Sequence, residues 1–188
     1  MDRKANGDTM NTVSITRLEP AHVDGLRLFL AQSSAGDRTY FRDDVLANGV
    51  VDSWLARTTG AYHVALVEGE VAGLLVLEPG VEWGRHVGEI RIVVAQGFRR
   101  RGIGRALARR ALIAGLELDL DKLVVQVAAE DEATTSMFVT LAFEPEALLR
   151  GHVRDDSGDT HDLLVLAHFV ESTRGAVAAI GLAEAMEM

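Results

Sequence analysis

The residues best suited to chemistry lie in one short segment that is rich in arginine and glycine. Arg99, Arg100 and Arg101 precede Gly102 and Gly104, shortly after a β-rich apolar run. The first backbone N–H groups of a helix are unpaired and carry partial positive charge, so glycines there let a phosphate approach closely. The segment therefore predicts a site for a phosphorylated ligand. The alternative is a solvated basic helix face whose glycines serve only close packing.

Two common phosphate-binding motifs do not fit this segment. No Gly-Lys-Ser/Thr follows the glycines, which excludes a P-loop. A dinucleotide-binding fingerprint has three glycines directly after a strand. Here Leu107 occupies the position of the third glycine, and a loop separates Val94 from Gly102. The predicted site is therefore neither a P-loop nor a dinucleotide fold.

Hydrophobic periodicity predicts the elements that must position this segment. Four helices are predicted. The first begins at Pro20, the second covers the stretch around Val45–Leu55, and the other two span Arg99–Gly115 and Thr134–Leu141. The order β-α-α-β-β-β-α-β-α-β-β predicts an α/β protein with a mixed sheet, because three successive strands exclude a purely parallel one. The predicted strands are Val13–Leu18, Tyr62–Val67, Val71–Leu77, Val87–Val94, Leu123–Val127, Ala147–Val153 and His161–Phe169.

Composition narrows the class of protein further. The chain has 188 residues, a formal net charge of −9 and no cysteine. This length suits one domain, for which we expect residues 12–170, with a disordered tail at 1–11 and a helix or tail at 171–188. The acidic balance opposes binding to nucleic acid or to an anionic membrane. No apolar stretch of about 18 residues and no signal-peptide pattern is visible, so we expect a cytoplasmic protein.

The arginine–glycine segment and the order of elements together resemble the GNAT superfamily of N-acetyltransferases, in a bacterial subgroup. Arg99-x-x-Gly102-x-Gly104 matches the acyl-CoA signature of that family. Phe143 stands where the family has the Phe of its Gly-Phe pair, with Ala142 replacing Gly. The resemblance covers nearly the whole chain. It implies a central mixed, largely antiparallel sheet that is flanked by helices and splayed around the fourth strand.

The resemblance also implies how the cosubstrate acetyl-CoA is held. The pantetheine arm would pair with the splayed end of the fourth strand, where one backbone N–H would polarise the thioester carbonyl. Backbone N–H groups of residues 100–105 would bind the pyrophosphate, and no metal ion is expected. The residues expected at this site are Ile92, Val93, Val94, Arg99, Arg100, Arg101, Gly102, Ile103, Gly104, Arg105, Asp131 and Phe138.

In such a reaction the acetyl group passes directly to a primary amine, which must first lose a proton. Glu89 is the candidate general base, and it matches by position an acidic residue on the same strand in several bacterial members. It lies in an otherwise apolar run, where desolvation makes a carboxylate a stronger base. The alternative is a glutamate at the rim of the site that pairs with Arg91 or Arg85.

The general acid has no clear counterpart in this sequence. Many members of the family protonate the departing thiolate with a Tyr, whereas Phe138 stands at that position and has no hydroxyl. We expect Phe138 to pack against the pantetheine or the core. Either the thiolate leaves unassisted, or a group such as Ser136 or His86 takes the place of the Tyr.

Three functions remain open on the sequence alone. The first is an N-acetyltransferase that acts on a small-molecule or protein amine, and the net charge of −9 favours a cationic acceptor. The second is an acyl-CoA-binding sensor or pseudoenzyme, which the residues at 138 and 142 suggest. The third is an interaction module in which residues 171–188 form a helix that makes a homodimer.

Some other residues carry weaker signals. Trp54 is expected in the core, whereas Trp83 and the pair Tyr40-Phe41 are candidates for an acceptor pocket. Aspartates 155, 156 and 159 are expected in a solvated turn, since their spacing does not fit a calcium loop. The histidines at 86, 152, 161 and 168 do not have the spacing of metal ligands. We expect them on the surface or in the core.

Overall fold

The apolar runs of the sequence form a single mixed sheet. The structure, a computed structural model, describes residues 13–38, 41, 44–155, 157–171 and 173–175. All the predicted strands are present, with their ends moved by a few residues. The strands of the described chain are β1 (Val13–Arg17), β2 (Ala61–Val67), β3 (Glu70–Pro79), β4 (Val87–Val94), β5 (Lys122–Ala128), β6 (Glu144–Arg154) and β7 (Thr160–Phe169).

The sheet is splayed at β4. Its strand order is β1-β2-β3-β4-β5-β7-β6, and β4 with β5 is its parallel pair, the other neighbours being antiparallel. The pairing of β4 with β5 ends where Ile90 lies opposite Val125, so the carboxyl-terminal half of β4 leaves its neighbour. The prediction of a mixed, largely antiparallel sheet that is splayed around the fourth strand is therefore confirmed.

The helices before β2 differ from the prediction in two places. A short helix, α2 (Ala35–Arg38), was not predicted. The second predicted helix is shorter than the amphipathic stretch, because Gly49 has a left-handed backbone with φ of 83° and α3 begins only after it. The helices of the described residues are α1 (Val23–Gln32), α2 (Ala35–Arg38), α3 (Val50–Ala56), α4 (Ile103–Glu117) and α5 (Glu132–Val139).

The helix that follows β4 begins four residues later than predicted. The prediction placed its start at Arg99, whereas α4 begins at Ile103. Arg100 and Gly102 have positive φ values of 59° and 81°, a left-handed conformation that an α-helix does not pass through. Residues 99–102 therefore form a loop, and Gly102 is the residue that caps the helix.

The helices cover both faces of the sheet with separate apolar clusters. The fully buried Ile103 and Leu107 of α4 pack on one face, and α1 and α3 pack on the other. Trp54 of α3 is 2 % exposed and stacks on Tyr62 and Phe41, with ring centroids 6.0 and 6.2 Å away, so its predicted core position is confirmed. No helix among the described residues has the length and apolar composition needed to cross a membrane.

Several expectations concern residues outside those that the structure describes. These are the tail at 1–11, the Tyr40 half of the Tyr40-Phe41 pair, Asp156, and residues 172 and 176–188 of the C-terminal segment.

Candidate functional site

The loop between β4 and α4 forms one wall of a cavity of about 600 Å³, which we call the loop cavity. The cavity lies between the splayed ends of β4 and β5, beside the first turns of α4 and α5. Most of the residues predicted to bind the cosubstrate are brought together here. Those that line it are Ile92, Val93, Val94, Arg99, Arg100, Gly102, Gly104, Arg105, Asp131 and Phe138, together with Glu89.

Two glycines keep the start of α4 open towards the loop cavity. Gly102 needs its left-handed conformation, with φ of 81°. A Cβ on Gly104 would lie 3.7 Å from the Met137 sulfur and 3.8 Å from Val94, which is ordinary contact. Any longer side chain at 104 would extend into the cavity beside the unpaired N–H groups of the first helical turn. The geometry therefore fits a phosphate group at the start of α4.

Two of the predicted cosubstrate residues do not line the loop cavity. Ile103 is 1 % exposed and belongs to the core beneath α4. The Arg101 guanidinium lies over the ring of Phe98, 5.3 Å from its centroid. Their side chains therefore pack on the outside and the underside of the loop, and only their backbone N–H groups could serve a bound anion.

The side chain of Arg99 connects two parts of the wall of the loop cavity. Its Nε donates to the Val94 carbonyl oxygen at 3.1 Å, and its Nη2 donates to Asp37 Oδ1 at 2.6 Å. The first contact ties the end of β4 to the loop, and the second ties α2 to the same loop. Arg99 thus has a structural role beside any contact with an anion, and Asp37 of the unpredicted α2 lines the cavity.

The start of α5 forms the opposite side of the loop cavity. Asp131 caps this helix, since its carboxylate accepts from the Thr134 N–H at 3.0 Å and from the Thr134 hydroxyl at 2.6 Å. Phe138 is 2 % exposed and meets Phe143 edge-on, with ring centroids 5.0 Å apart. Phe138 therefore packs in the core at the floor of the cavity. Packing against the core was one of the two positions that the sequence analysis expected for it.

A second cavity of about 490 Å³ opens beside the first, on the face of the sheet that carries α1 and α3. We call it the charged cavity, because two carboxylates and two guanidinium groups line it. Arg91 donates to Glu89 at 2.6 Å and to Glu78 at 3.5 Å, and Arg57 also donates to Glu78. Glu78 and Glu89 lie directly opposite each other on β3 and β4.

Tyr62 completes the charged cavity. Its hydroxyl donates to Glu78 at 2.6 Å and accepts from Arg57 at 3.2 Å. Burial, followed by the hydrogen bond to Glu78, raises the pKa of Tyr62 to about 12. The hydroxyl therefore keeps its proton throughout the neutral range and acts as a fixed donor to Glu78.

The two cavities meet at Glu89, Arg91 and Gln126, which line both of them. Glu89 is thus at the border between the loop cavity and the charged cavity, and it is also paired with Arg91. The pairing with Arg91 is one that the sequence predicted as the alternative for Glu89, and its role as the general base stays a prediction. The residues of the charged cavity that were not predicted are Gln126, Glu78, Arg57 and Tyr62. Each is a polar residue within or next to a predicted apolar strand or helix.

Phe41, one of the candidates for an acceptor pocket, lines the loop cavity. Three other candidates, Ser136, His86 and Trp83, line neither cavity. Ser136 and His86 are exposed. Trp83 is 92 % exposed, although its neighbours Gly80 and Gly84 line the charged cavity. Among the described residues no group of three or more histidines and acidic residues is arranged to hold a metal ion.

The turn between β6 and β7 is held by Asp155. Its carboxylate accepts from the backbone N–H groups of Ser157 and Asp159, and a second oxygen contacts His161 at 3.0 Å. His161 also contacts Glu130 at 3.0 Å. His168 is buried and contacts the carbonyl oxygen of Ala142.

The sheet that is splayed at β4 and the glycine-rich start of α4 are the features that the resemblance to the N-acetyltransferases implied. Residues 27–143 match the family model described as Acetyltransferase (GNAT) family. The chain therefore belongs to the GNAT acetyltransferase family, as the sequence resemblance implied. No curated protein sequence matches the chain.

Solved structures share this fold at low sequence identity. Ribosomal-protein-alanine N-acetyltransferase from Brucella melitensis is 23 % identical with a TM-score of 0.74, covering 83 % of this chain and 99 % of its own. The ribosomal-protein-S18-alanine N-acetyltransferase from Escherichia coli is 15 % identical, with a TM-score of 0.67 and coverage of 85 % and 94 %. Spermidine N-acetyltransferase from Vibrio cholerae, in complex with CoA and spermine, is 16 % identical, with a TM-score of 0.70 and coverage of 85 % and 96 %.

Proposed function

We propose that this protein transfers an acetyl group from acetyl-CoA directly to a primary amine. The observation that carries the proposal is the meeting of two cavities at Glu89. One cavity begins at the glycine-rich start of α4, and the other is lined by charged side chains. Two substrates that enter from different sides would thus reach one carboxylate without a covalent intermediate on the enzyme.

The loop cavity fits the cosubstrate. Backbone N–H groups of residues 100–105 would hold the pyrophosphate, helped by Arg100 and Arg105 at the same wall. Residues 92–94 of β4 lie beyond the last pairing with β5, so their backbone groups would pair with the pantetheine as with an added strand. Acetyl-CoA supplies an acetyl group that is activated as a thioester. A backbone N–H of this part of β4 would stabilise the developing oxyanion.

Glu89 would take the proton from the acceptor ammonium. Its side chain is 18 % exposed, and Arg91 holds it in place at 2.6 Å. An amine is a nucleophile only when it is deprotonated, so a carboxylate at the junction of the cavities supports attack. Phe138 has no hydroxyl to protonate the departing sulfur, and Ser136 is exposed. The proposal needs no acid there, because a thiol is a far stronger acid than an alcohol and leaves readily as the thiolate.

Binding of the cosubstrate is tested first by thermal denaturation with acetyl-CoA and, as a control, with NADH. A ligand at about 100 times its Kd adds roughly 2.7 kcal/mol of stability. At about 2–4 °C per kcal/mol, Tm should rise by roughly 5–10 °C. A rise with acetyl-CoA alone supports the proposal. No rise at millimolar acetyl-CoA contradicts it and favours an interaction module that includes residues 171–188.

Turnover is tested by acceptor-dependent release of CoA from the wild type and from Glu89→Gln. We expect this substitution to lower kcat by about 10²- to 10⁴-fold, the usual contribution of a general base. The Kd of acetyl-CoA should stay within about twofold, since binding rests on backbone groups. Glu70→Gln, at an exposed glutamate of β3, is the matched control. Unchanged turnover in Glu89→Gln rules out Glu89 as the base, and binding without release from any amine indicates a sensor.

A further inference from the structure

The side chain of Gln126 faces the charged cavity because of its position in β5. Successive side chains of a strand alternate between the two faces of a sheet. Those of Leu123, Val125 and Val127 are buried in the apolar cluster beneath α4. Gln126 therefore faces the other side of the sheet, where it lines the charged cavity. Its amide group is presented to this cavity rather than to the core.

Gln126 also lies at the point where β4 and β5 separate. The pairing of the two strands ends where Ile90 lies opposite Val125, and Gln126 is the next residue of β5. The loop cavity opens at this point, and Gln126 lines both cavities, as Glu89 and Arg91 do. It is thus placed where the two substrates of the proposed reaction would meet.

The amide of Gln126 is available to a ligand. Within the part of the chain that the structure describes, this side chain has no hydrogen bond, whereas both carboxylates and both guanidinium groups of the charged cavity are paired. The residue is half-buried. A polar group that is shielded from water without a partner costs free energy, and a ligand that supplies the partner removes this cost. The junction of the cavities therefore has one uncharged polar group that is ready to bind.

An ammonium group that enters the junction needs more than one hydrogen-bond acceptor. It has three N–H groups, and each one that leaves water has to be hydrogen-bonded again. Glu89 would accept one of them and then the proton. The carbonyl oxygen of Gln126 offers a second acceptor that has no charge. A second carboxylate would stabilise the ammonium against loss of its proton, whereas a neutral carbonyl can bind the ammonium and the free amine alike.

We infer that Gln126 binds the amino group of the acceptor. Its carbonyl oxygen Oε1 accepts one N–H of the ammonium while Glu89 takes the proton from another. After this proton transfer the same oxygen holds the neutral amine beside the splayed end of β4, where the thioester lies. This inference rests on the proposed acetyl transfer and adds the residue that recognises the acceptor nitrogen.

The test measures acceptor binding and turnover separately. CoA release is measured with spermidine, with leucinamide and with a short peptide that has a free amino terminus, and the acceptor with the highest kcat/KM is used further. Its Kd is then measured by calorimetry with the enzyme–CoA complex, in which no acetyl group can be transferred. The Kd of acetyl-CoA is measured as well, since Gln126 also lines the loop cavity.

The first variant removes the whole amide and keeps the length of the side chain. In Gln126→Met we expect the acceptor Kd to rise about tenfold, because the ammonium loses a hydrogen bond. The kcat should fall by less than about threefold, since the contact is made both before and during the reaction. The Kd of acetyl-CoA should stay within about twofold. Gln32→Met, at an exposed glutamine at the end of α1, is the matched control.

The second variant keeps an oxygen acceptor and removes only the NH2 group. In Gln126→Glu we expect the acceptor Kd to equal that of the wild type or to be lower. The kcat should fall about tenfold, because the added carboxylate favours the charged form of the acceptor and opposes its deprotonation. A role in packing alone would not produce this split between binding and turnover.

Each outcome supports or overturns the inference. Acceptor binding that is weakened in Gln126→Met and retained in Gln126→Glu supports it. Unchanged binding in Gln126→Met overturns it, and so does equal weakening in both variants, which would assign the effect to the NH2 group or to packing. A raised Kd of acetyl-CoA in Gln126→Met would assign the amide to the cosubstrate and overturns the inference while acetyl transfer stands. Binding of acetyl-CoA with no release from any acceptor contradicts acetyl transfer itself, and the inference falls with it.

Discussion

The two cavities of this protein are built in opposite ways. The loop cavity uses backbone groups and glycines from one continuous segment between β4 and α4, with Gly102 and Gly104 at its helical wall. The charged cavity uses side chains that four strands and a loop bring together, and its polar groups pair with one another. A site made of backbone is sensitive to added bulk and charge, whereas a site made of side chains is sensitive to their loss. Substitutions that add a side chain should therefore affect the loop cavity, and substitutions that remove a polar group should affect the charged cavity.

The largest effect on ligand binding is expected from filling the loop cavity at the start of α4. Gly104→Glu places a carboxylate at the second residue of α4, inside the loop cavity. The added group occupies the anion site and repels phosphate, so the Kd of acetyl-CoA should rise at least 100-fold, or about 2.7 kcal/mol. Isothermal titration calorimetry with acetyl-CoA measures this.

The fold is not expected to suffer from this change. A carboxylate in the first turn of a helix is favourable, because it faces the positive end of the helix dipole. Gly104→Ala is the control, since its Cβ would make only ordinary contacts at 3.7 and 3.8 Å. Its Kd should stay within about threefold, given the space around the Cβ. Unchanged affinity in Gly104→Glu would show that acetyl-CoA does not use the start of α4.

A smaller effect is expected from removing one side-chain contact of the charged cavity. Tyr62→Phe deletes the donor to Glu78 and keeps the ring that stacks on Trp54. A lost hydrogen bond of roughly 1 kcal/mol should raise the acceptor KM about fivefold. The Kd of acetyl-CoA should not change, because Tyr62 lines the charged cavity and not the loop cavity. Steady-state kinetics with calorimetry measure the two quantities.

The pH profile of the same variant sharpens the comparison. With its pKa raised to about 12, Tyr62 does not titrate at neutral pH, so the wild type and Tyr62→Phe should share one profile shape up to about pH 10. A change of shape in that range would mean that the hydroxyl itself transfers a proton. Tyr62 would then be a catalytic group rather than a positioning one.

The ion pair between Asp37 and Arg99 lies in the wall of the loop cavity, where we expect it to affect the binding of acetyl-CoA. Asp37→Asn removes a negative charge that lies 2.6 Å from Arg99 and lines the loop cavity. We expect acetyl-CoA to bind about threefold more tightly, because repulsion of its phosphates is reduced and Arg99 is released. The gain should shrink at high salt. Asp24→Asn, in an exposed ion pair of α1, is the control, and tighter binding in that variant would contradict a local effect.

The contrast between the cavities also explains what the sequence could predict. The segment from Glu89 to Gly104 is contiguous, so its strand and glycines could be predicted from the sequence pattern, and Glu89 could be predicted as a base with the help of the family resemblance. Its backbone detail was not, because the positive φ of Arg100, a residue other than glycine, has no sequence signal and delays the start of α4. The contact of Arg57 with Glu78 depends on how strands pair, and no local pattern links these positions.

The smallest effect is expected outside the two cavities, where His161 contacts both the β6–β7 turn and the segment before α5. It contacts Asp155 of the β6–β7 turn and Glu130, the residue before the Asp131 cap. The hydrogen bond to Asp155, followed by the one to Glu130, raises the pKa of His161. The contact with His161 lowers the pKa of Asp155. Together the two shifts define a pH window in which the pair stabilises the fold.

The raised pKa of His161 means that its contribution is complete below about pH 6.5 and is lost as the pH rises through the folded-state value. The lowered pKa of Asp155 means that its contribution is complete above about pH 3.9 and is lost on further acidification. His161→Gln should therefore lower Tm slightly at about pH 5.5 and leave it unchanged at about pH 9. His152→Gln, at an exposed histidine of the same hairpin, is the control, and thermal denaturation at both pH values measures the effect. A loss of Tm that is equal at both values would mean that the imidazole acts by packing rather than by charge.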